Sequence, residues 1–155
     1  MEQKTKVLAE KGQQEVVITR EFDLPAALVF KAYTDPDILA QWMGTKVLKL
    51  ESKDHGSYRF ETRDKEGKTV FQANGTIHAC VPDRKIIRTF EMDNTPYGVQ
   101  LEIIAFEALT ENTSRLIIHS VYESVTQRDE VMKLPFAQGI NWAHNRLQDV
   151  VSQLK

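Results

Sequence analysis

The stretch MKLPFAQGINWAHNRLQDVVSQL, residues 132–154, decides the fold. The spacing of its apolar residues, three or four apart, predicts one buried face of an amphipathic helix. Pro135 lacks the N–H that a helix needs, so we expect a kink there or a short separate turn near Gln127–Lys133. The apolar residues are Met132, Phe136, Ile140, Ala143, Leu147, Val150 and Leu154.

Upstream of this helix the sequence is typical of strands joined by short turns. Asp64–Gly67 and Pro82–Asp83 are turn sequences, and no helical pattern separates the strands after residue 46. Asn74-Gly75, inside the longest strand, indicates a bulge or a bend. The sequence therefore predicts an antiparallel meander. Its strands are expected at about 13–22, 46–50, 58–62, 69–81, 85–92, 99–109 and 115–123.

Two short helices are predicted between the first two strands. Asp23 stands before Pro25 and Asp35 before Pro36, and an acidic cap followed by proline is typical of a helix start. Gly44 is the natural end of the second helix. The fold class is therefore α+β: a curved sheet of six to seven antiparallel strands wrapped around a long C-terminal helix. We expect one domain over residues 1–155, with its core at about 14–154.

Composition narrows the classes of function. The chain has 155 residues, 20 basic and 22 acidic side chains and a net charge of -2, so no nucleic-acid partner is expected. No apolar run approaches the ~18 residues of a membrane span, and the first residues do not resemble a signal peptide. Cys80 is the only cysteine. These features favour a cytoplasmic protein without an internal disulfide.

Aromatic residues lie in or beside most of the strands. Rings of this kind line small-molecule clefts, which favours an internal pocket between sheet and helix. Aromatic residues in strands are also ordinary core residues, and periodicity alone favours that simpler interpretation. The residues concerned are Tyr58, Phe60, Phe71, Phe90, Tyr97, Phe106 and Tyr122.

Several motifs resemble one family. REFDLP at 20–25, VFKAYTDP at 29–36 and LAQWMG at 39–44 are similar to the opening signature of the activator-of-heat-shock-protein-90-ATPase homologue family. Later segments follow the family order: 75–77, 106–107, 114–116, Gly139, Trp142 and 145–147. The resemblance covers about Val16 to Leu154. Thr45 stands where the family usually has proline, and Leu24 where alanine is common.

The resemblance implies the helix-grip fold of the SRPBCC superfamily, which is similar to START lipid-transfer domains. It also implies a cavity for a small apolar ligand between the sheet and the last helix. Trp42 and Trp142 are either ordinary packing residues or, together with Gly139, the rim of this cavity. The eukaryotic co-chaperones of the family carry an additional N-terminal chaperone-binding domain, for which we find no counterpart in this sequence. A chaperone partner is therefore expected less than a ligand.

The candidates for acid–base chemistry are His78, Glu102 and His119, all on strands, and Glu102 is the favoured one. If Ile104 and Phe106 point inward, Glu102 and Gln100 do too, and a carboxylate enters the cavity. If Leu101 and Ile103 point inward, Glu102 is solvated. The strand is apolar on both parities, so both arrangements stay open.

The remaining reactive residue types favour structural roles. His119 is expected to face outward, and His78 and Cys80 have no neighbouring base or ligand at a helpful spacing. We therefore expect no metal site and no cofactor.

Three functions follow for testing. The first is binding of a small hydrophobic ligand, such as a lipid or an aromatic metabolite. The second is a cyclase- or hydrolase-type enzyme that uses the Glu102 carboxylate. The third is a protein-interaction module or homodimer, whose sign would be an exposed apolar patch at Leu101, Ile117 and Val121.

Overall fold

The computed structural model describes residues 4–154, and its centre is one antiparallel sheet. The spatial order of the strands is β1-β2-β8-β7-β6-β5-β4-β3, so each strand after β3 pairs with the one before it and β8 closes on β2. The strands are β1 (Lys6–Leu8), β2 (Glu15–Phe22), β3 (Lys46–Leu50), β4 (Gly56–Arg63), β5 (Thr69–Val81), β6 (Lys85–Met92), β7 (Val99–Ala108) and β8 (Ser114–Val121).

One face of this sheet is buried. In β2 and β8 every second residue is buried, which is the period-two pattern of a strand with one face on the core. The buried face packs with the helices into one hydrophobic cluster. The helices are α1 (Ala26–Thr34), α2 (Pro36–Met43), α3 (Val125–Met132) and α4 (Phe136–Ser152).

The two short helices begin differently. The Asp35 carboxylate accepts hydrogen bonds from the backbone N–H groups of Asp37 and Ile38 and caps α2, as predicted. Gly44 ends that helix with φ 64°. The predicted cap at Asp23 is wrong: the N-cap of α1 is Pro25, which makes no side-chain cap bond. The backbone N–H of Asp23 instead donates to the side-chain oxygen of a glutamine in α4, at 2.9 Å.

Pro135 separates α3 from α4, which confirms the predicted break. Proline lacks the N–H that a continuous helix would need at this point. The buried residues of α4 are His144, Leu147 and Val151. In its first half Phe136, Ile140 and Ala143 are only half-buried and Trp142 is exposed, and Leu154 beyond its end is exposed as well. The helix therefore packs tightly at its C-terminal half and loosely at its N-terminal half.

Within residues 4–154 the sheet has eight strands, whereas six to seven were predicted. The additional strand is β1, which pairs with β2 through Val7 and Ile18. The backbone N–H of Thr5 donates to Asn141 Oδ1 at 3.0 Å. A three-residue strand at a sheet edge carries too little pattern to be recognised locally, and contacts with α4 hold it in place.

Candidate functional site

Three polar side chains form a row across the buried face of the sheet. Arg88 of β6 is paired with Glu102 of β7, and Glu102 is paired with Ser120 of β8. Ile104 and Phe106 are 0% and 6% exposed, so Glu102 lies on the inward parity of β7. The question that the sequence left open is thereby answered. We call Arg88, Glu102 and Ser120 the polar row.

An ion pair joins the first two members of the polar row. Arg88 Nε donates to Glu102 Oε1 at 2.7 Å, and the two side chains are 9% and 12% exposed. Gln100 Nε2 donates to the other carboxylate oxygen, Oε2, at 3.0 Å. Both oxygens of Glu102 are therefore engaged, which suits a fixed anchor better than a mobile proton acceptor.

Two tyrosine rings cover the Arg88 guanidinium. Its central carbon lies 5.0 Å from the ring centre of Tyr58 and 5.9 Å from that of Tyr33. Both distances are within the range of a cation–π contact. Burial raises the pKa of both phenols well above the usual value, so both rings are neutral at pH 7.

Gly75 makes room for the Tyr58 ring. A Cβ at this position would collide with the Tyr58 hydroxyl and the Thr89 carbonyl oxygen. The Tyr58 O–H donates to that same carbonyl oxygen. The strand register to β4 runs unbroken past Asn74 and Gly75, so no bulge lies there between these two strands. On the β6 side the paired residues pass from Asn74 directly to Ile77, and the register shifts between Ile77 and Ala79. Gly75 also permits close packing.

Two hydroxyl groups beside the polar row have no hydrogen-bond partner within residues 4–154. They are Ser120 Oγ and Tyr122 Oη, on residues that are 1% and 3% exposed. Burial, and then the charge of Glu102, raises the pKa of the Tyr122 phenol, so its hydroxyl keeps its proton. Buried polar groups are normally hydrogen-bonded, so these two hydroxyls need an explanation.

A second polar cluster lies between β2 and α4. Arg20 Nη1 donates to Asn145 Oδ1 at 2.9 Å, and the Thr5 hydroxyl lies 2.7 Å from His144 Nδ1. Burial, and then the charge of Arg20, lowers the pKa of His144 to about 3. The imidazole is therefore neutral at pH 7.

The nine residues that were predicted to surround a ligand fall into three groups. Trp42, Tyr58, Phe60, Phe106 and Tyr122 are buried at 0–6% exposure. Phe71 and Phe90 are half-buried against the core. Gly139 and Trp142 are exposed, Trp142 by 57%.

Individual contacts refine this placement. The Trp42 indole N–H donates to the Ala32 carbonyl oxygen at 2.8 Å, so this ring ties α2 to α1. The Arg146 guanidinium lies 5.3 Å from the Trp142 ring centre. A Cβ at Gly139 would meet nothing within 4 Å. The role of these residues in ligand binding stays a prediction.

Sequence reasoning missed Arg88, Tyr33 and Ser120. A signal existed for Arg88, because it occupies the same parity as the buried Ile86 in a strongly apolar strand. A charged residue at such a position needs a buried partner, and Glu102 was the available acid. Tyr33 and Ser120 carry no comparable local signal.

The other candidate residues lie outside this site. The His119 side chain is 45% exposed and 3.5 Å from Glu15, and Cys80 is half-buried with its thiol pKa raised by burial. Within residues 4–154 no group of three or more His, Cys, Asp or Glu side chains is placed to hold a metal ion. On the outer face Leu101 lies opposite Val121 and is 40% exposed.

A cleft of about 620 Å³ lies between the end of α2 and strands β3 and β4. Polar side chains that line the cleft form hydrogen bonds and an ion pair with one another. The Thr62 hydroxyl donates to Thr45 Oγ1 at 2.8 Å, and Arg63 Nε lies 2.6 Å from Glu61 Oε1. It holds none of the nine residues above. The unpartnered hydroxyl groups of Ser120 and Tyr122 do not line this cleft either.

Comparison with known proteins agrees with the fold. The sequence profile of the family described as Activator of Hsp90 ATPase homolog 1-like protein matches residues 23–152. Comparison with curated proteins finds no match. None of the helices within residues 4–154 has the length and apolar character needed to cross a membrane.

Solved structures share the architecture. A crystal structure of a protein from Rhodobacter sphaeroides has a TM-score of 0.86 at 18% identity, over 97% of this chain and 99% of that chain. A solution structure of a protein from Arthrobacter aurescens has a TM-score of 0.85 at 19% identity, over 96% and 91%. At such identities the likeness shows the fold alone, which is the predicted helix-grip fold.

Proposed function

The chain belongs to the family of Activator of Hsp90 ATPase homolog 1-like proteins, and from this premise we propose that it binds a small, largely apolar ligand between the sheet and α4. One observation carries the proposal. Among the apolar residues of the core lie the polar row and its neighbours, where buried hydroxyl groups lack partners within residues 4–154. Such a combination of apolar walls and a few polar groups is typical of ligand sites.

The loosely packed half of α4 is the proposed entrance. Phe136, Ile140 and Ala143 are half-buried there, and Gly139 has open space beside it. On the sheet side, half-buried aromatic rings of β5 and β6 belong to the same hydrophobic cluster. Burying a ligand against these groups would supply about 25 cal/mol per Å² of apolar surface.

Ligand binding is favoured over acid–base catalysis by the state of Glu102. Its two oxygens already accept hydrogen bonds from Arg88 and Gln100. A general base must have an oxygen within reach of the proton that it removes. In this arrangement the carboxylate holds Arg88 in place.

The experiment is an NMR titration of the ¹⁵N-labelled protein with a panel of fatty acids, terpenoids and aromatic compounds. We expect saturable shifts at the backbone amides of residues 136–143 and around Phe90. Phe71→Ala should weaken binding, whereas Val70→Ala is the matched control, because Val70 is the preceding residue and is 60% exposed. Absence of saturable shifts throughout the panel would refute the proposal, as would equal effects of the two variants.

A further inference from the structure

Two serines of β8 differ in one respect. Ser114 and Ser120 are both inward-facing and both 1% exposed. Ser114 Oγ donates to the Leu24 carbonyl oxygen at 2.8 Å, whereas Ser120 Oγ has no partner within residues 4–154. The position of Ser120 therefore does not follow from the needs of the fold alone.

Two tyrosines repeat this contrast. The Tyr58 hydroxyl donates to the Thr89 carbonyl oxygen, whereas the Tyr122 hydroxyl is buried without a partner in the described part of the chain. Ser120 and Tyr122 are two residues apart and share the inward face, about 7 Å apart along the chain. Two hydroxyl groups without a partner in the described residues thus belong to successive inward-facing positions at the end of β8, and Ser120 is paired with Glu102.

Charge decides what these hydroxyl groups can bind. Arg88 and Glu102 neutralise each other. A charged ligand group placed beside them would remain uncompensated in a medium of low dielectric constant, which is strongly unfavourable. An uncharged oxygen needs only hydrogen-bond donors, and a serine and a protonated tyrosine both supply one.

We propose that Ser120 and Tyr122, beside the Arg88–Glu102 pair, bind an uncharged oxygen acceptor of the ligand, such as the carbonyl of a ketone, ester or amide. This inference rests on the proposed function and specifies its polar recognition. The apolar part of the ligand extends toward the half-buried residues of α4.

Three probes of similar shape test the inference: 2-acetylnaphthalene, 2-ethylnaphthalene and 2-naphthoate. We expect the ketone to bind about tenfold more tightly than the ethyl compound, the effect of one net hydrogen bond, and more tightly than the carboxylate. In Ser120→Ala/Tyr122→Phe the ketone should lose this advantage, while the affinity for 2-ethylnaphthalene stays the same. Ser114→Ala is the matched control and should keep the ketone preference.

The outcomes separate the two proposals. If the probes bind saturably but the ketone has no advantage, or the carboxylate binds most tightly, the inference is overturned and ligand binding stands. If none of the three probes binds while another compound of the NMR panel does, the inference is overturned and ligand binding stands; if no compound of the panel binds, the proposed function itself fails.

Thermal unfolding of the ligand-free protein tests independently whether Ser120 contributes to stability. Ser114→Ala should lower Tm by about 3–6 °C, because it breaks a buried hydrogen bond, whereas Ser120→Ala should not lower Tm. Equal losses in the two variants would show that Ser120 has a structural partner and would overturn the inference.

Discussion

Arg20 and Arg88 both lie on the buried face of the sheet, but their surroundings differ. Arg20 donates to the side-chain oxygen of Asn145 on α4 and lies over the Phe22 ring. Arg88 donates to Glu102 on the neighbouring strand and lies against two tyrosine rings. The first arrangement joins the sheet to α4 by a hydrogen bond, while the second joins two strands by an ion pair and contacts Tyr33 of α1 only through its ring.

Under the proposed function, this difference separates a region that holds the fold from a region that faces the ligand. Around Arg20, polar contacts join β2, α4 and the residue before β1, and one buried atom there, His144 Nε2, has no hydrogen-bond partner within residues 4–154. Around Arg88, both carboxylate oxygens of Glu102 accept hydrogen bonds, but the hydroxyl groups of Ser120 and Tyr122 have no hydrogen-bond partner within residues 4–154. Changes near Arg20 should therefore affect stability alone, whereas changes near Arg88 should affect stability and ligand binding to different degrees.

Breaking the ion pair should have the largest effect. Glu102→Leu leaves the Arg88 charge buried without a carboxylate, and we expect the free energy of unfolding to fall by about 3–5 kcal/mol. The double variant Arg88→Leu/Glu102→Leu should recover a large part of this loss. Urea unfolding of the four proteins of this cycle measures the coupling.

The control for this cycle is an exposed ion pair. Arg115 and Glu107 are 35% and 48% exposed at the side chain. Glu107→Ala should change the free energy of unfolding by less than about 1 kcal/mol. A loss at Glu102 no larger than at Glu107 would contradict the buried role of the polar row.

Near Arg20, the titration of the buried His144 imidazole should make the free energy of unfolding depend on pH. The pKa of His144 is about 3 in the folded protein, against about 6.5 in an unfolded chain. Below pH ~6.5 the unfolded chain therefore binds a proton that the folded protein does not. The contribution of His144 to stability is fully present above this pH and falls until about pH 3, by roughly 3 kcal/mol between pH 7 and pH 4.

His144→Leu removes this titration. The variant loses the contact with Thr5, so its stability at pH 7 is lower, but its stability should fall less between pH 7 and pH 4 than that of the parent protein. Urea unfolding at a series of pH values gives both slopes. Parallel slopes would mean that His144 has the same pKa in the folded and unfolded protein.

The sequence predicted the helices and seven strands because their signals are local. Asp35-Pro36 and Gly44 delimit α2, and the spacing of apolar residues marks α4. The strand β1 has no such signal, since its place depends on Asn141 and His144 more than 130 residues away.

The candidate site was predictable only in part for the same reason. Glu102 was recognised as a candidate, but its orientation depends on the pairing of β7 with β6 and β8, which a strand that is apolar on both faces does not reveal. Whether the Ser120 hydroxyl has a hydrogen-bond partner depends on which groups surround it in the folded protein. The amino-acid sequence alone does not indicate this.

Gly75→Ala tests the aromatic cover of Arg88 with a smaller expected effect. The added methyl group would collide with the Tyr58 hydroxyl and with a backbone carbonyl oxygen, which cannot move freely. We expect a loss of about 1–3 kcal/mol in the free energy of unfolding. Urea unfolding measures it, and unchanged stability would show that the Tyr58 ring does not need the glycine.

Gly139→Ala should have the smallest effect on the free energy of unfolding, and it should raise stability rather than lower it. Gly139 lies in α4, has open space at the Cβ position and is exposed, so alanine brings better helix propensity without a clash. We expect a gain of about 0.5–1 kcal/mol in the free energy of unfolding, measured by urea unfolding beside Gly75→Ala.

If Gly139 borders the ligand entrance, a larger residue should slow ligand association even though stability rises. A Gly139→Leu variant that binds the naphthalene probes at the parent rate would remove this residue from the proposed entrance.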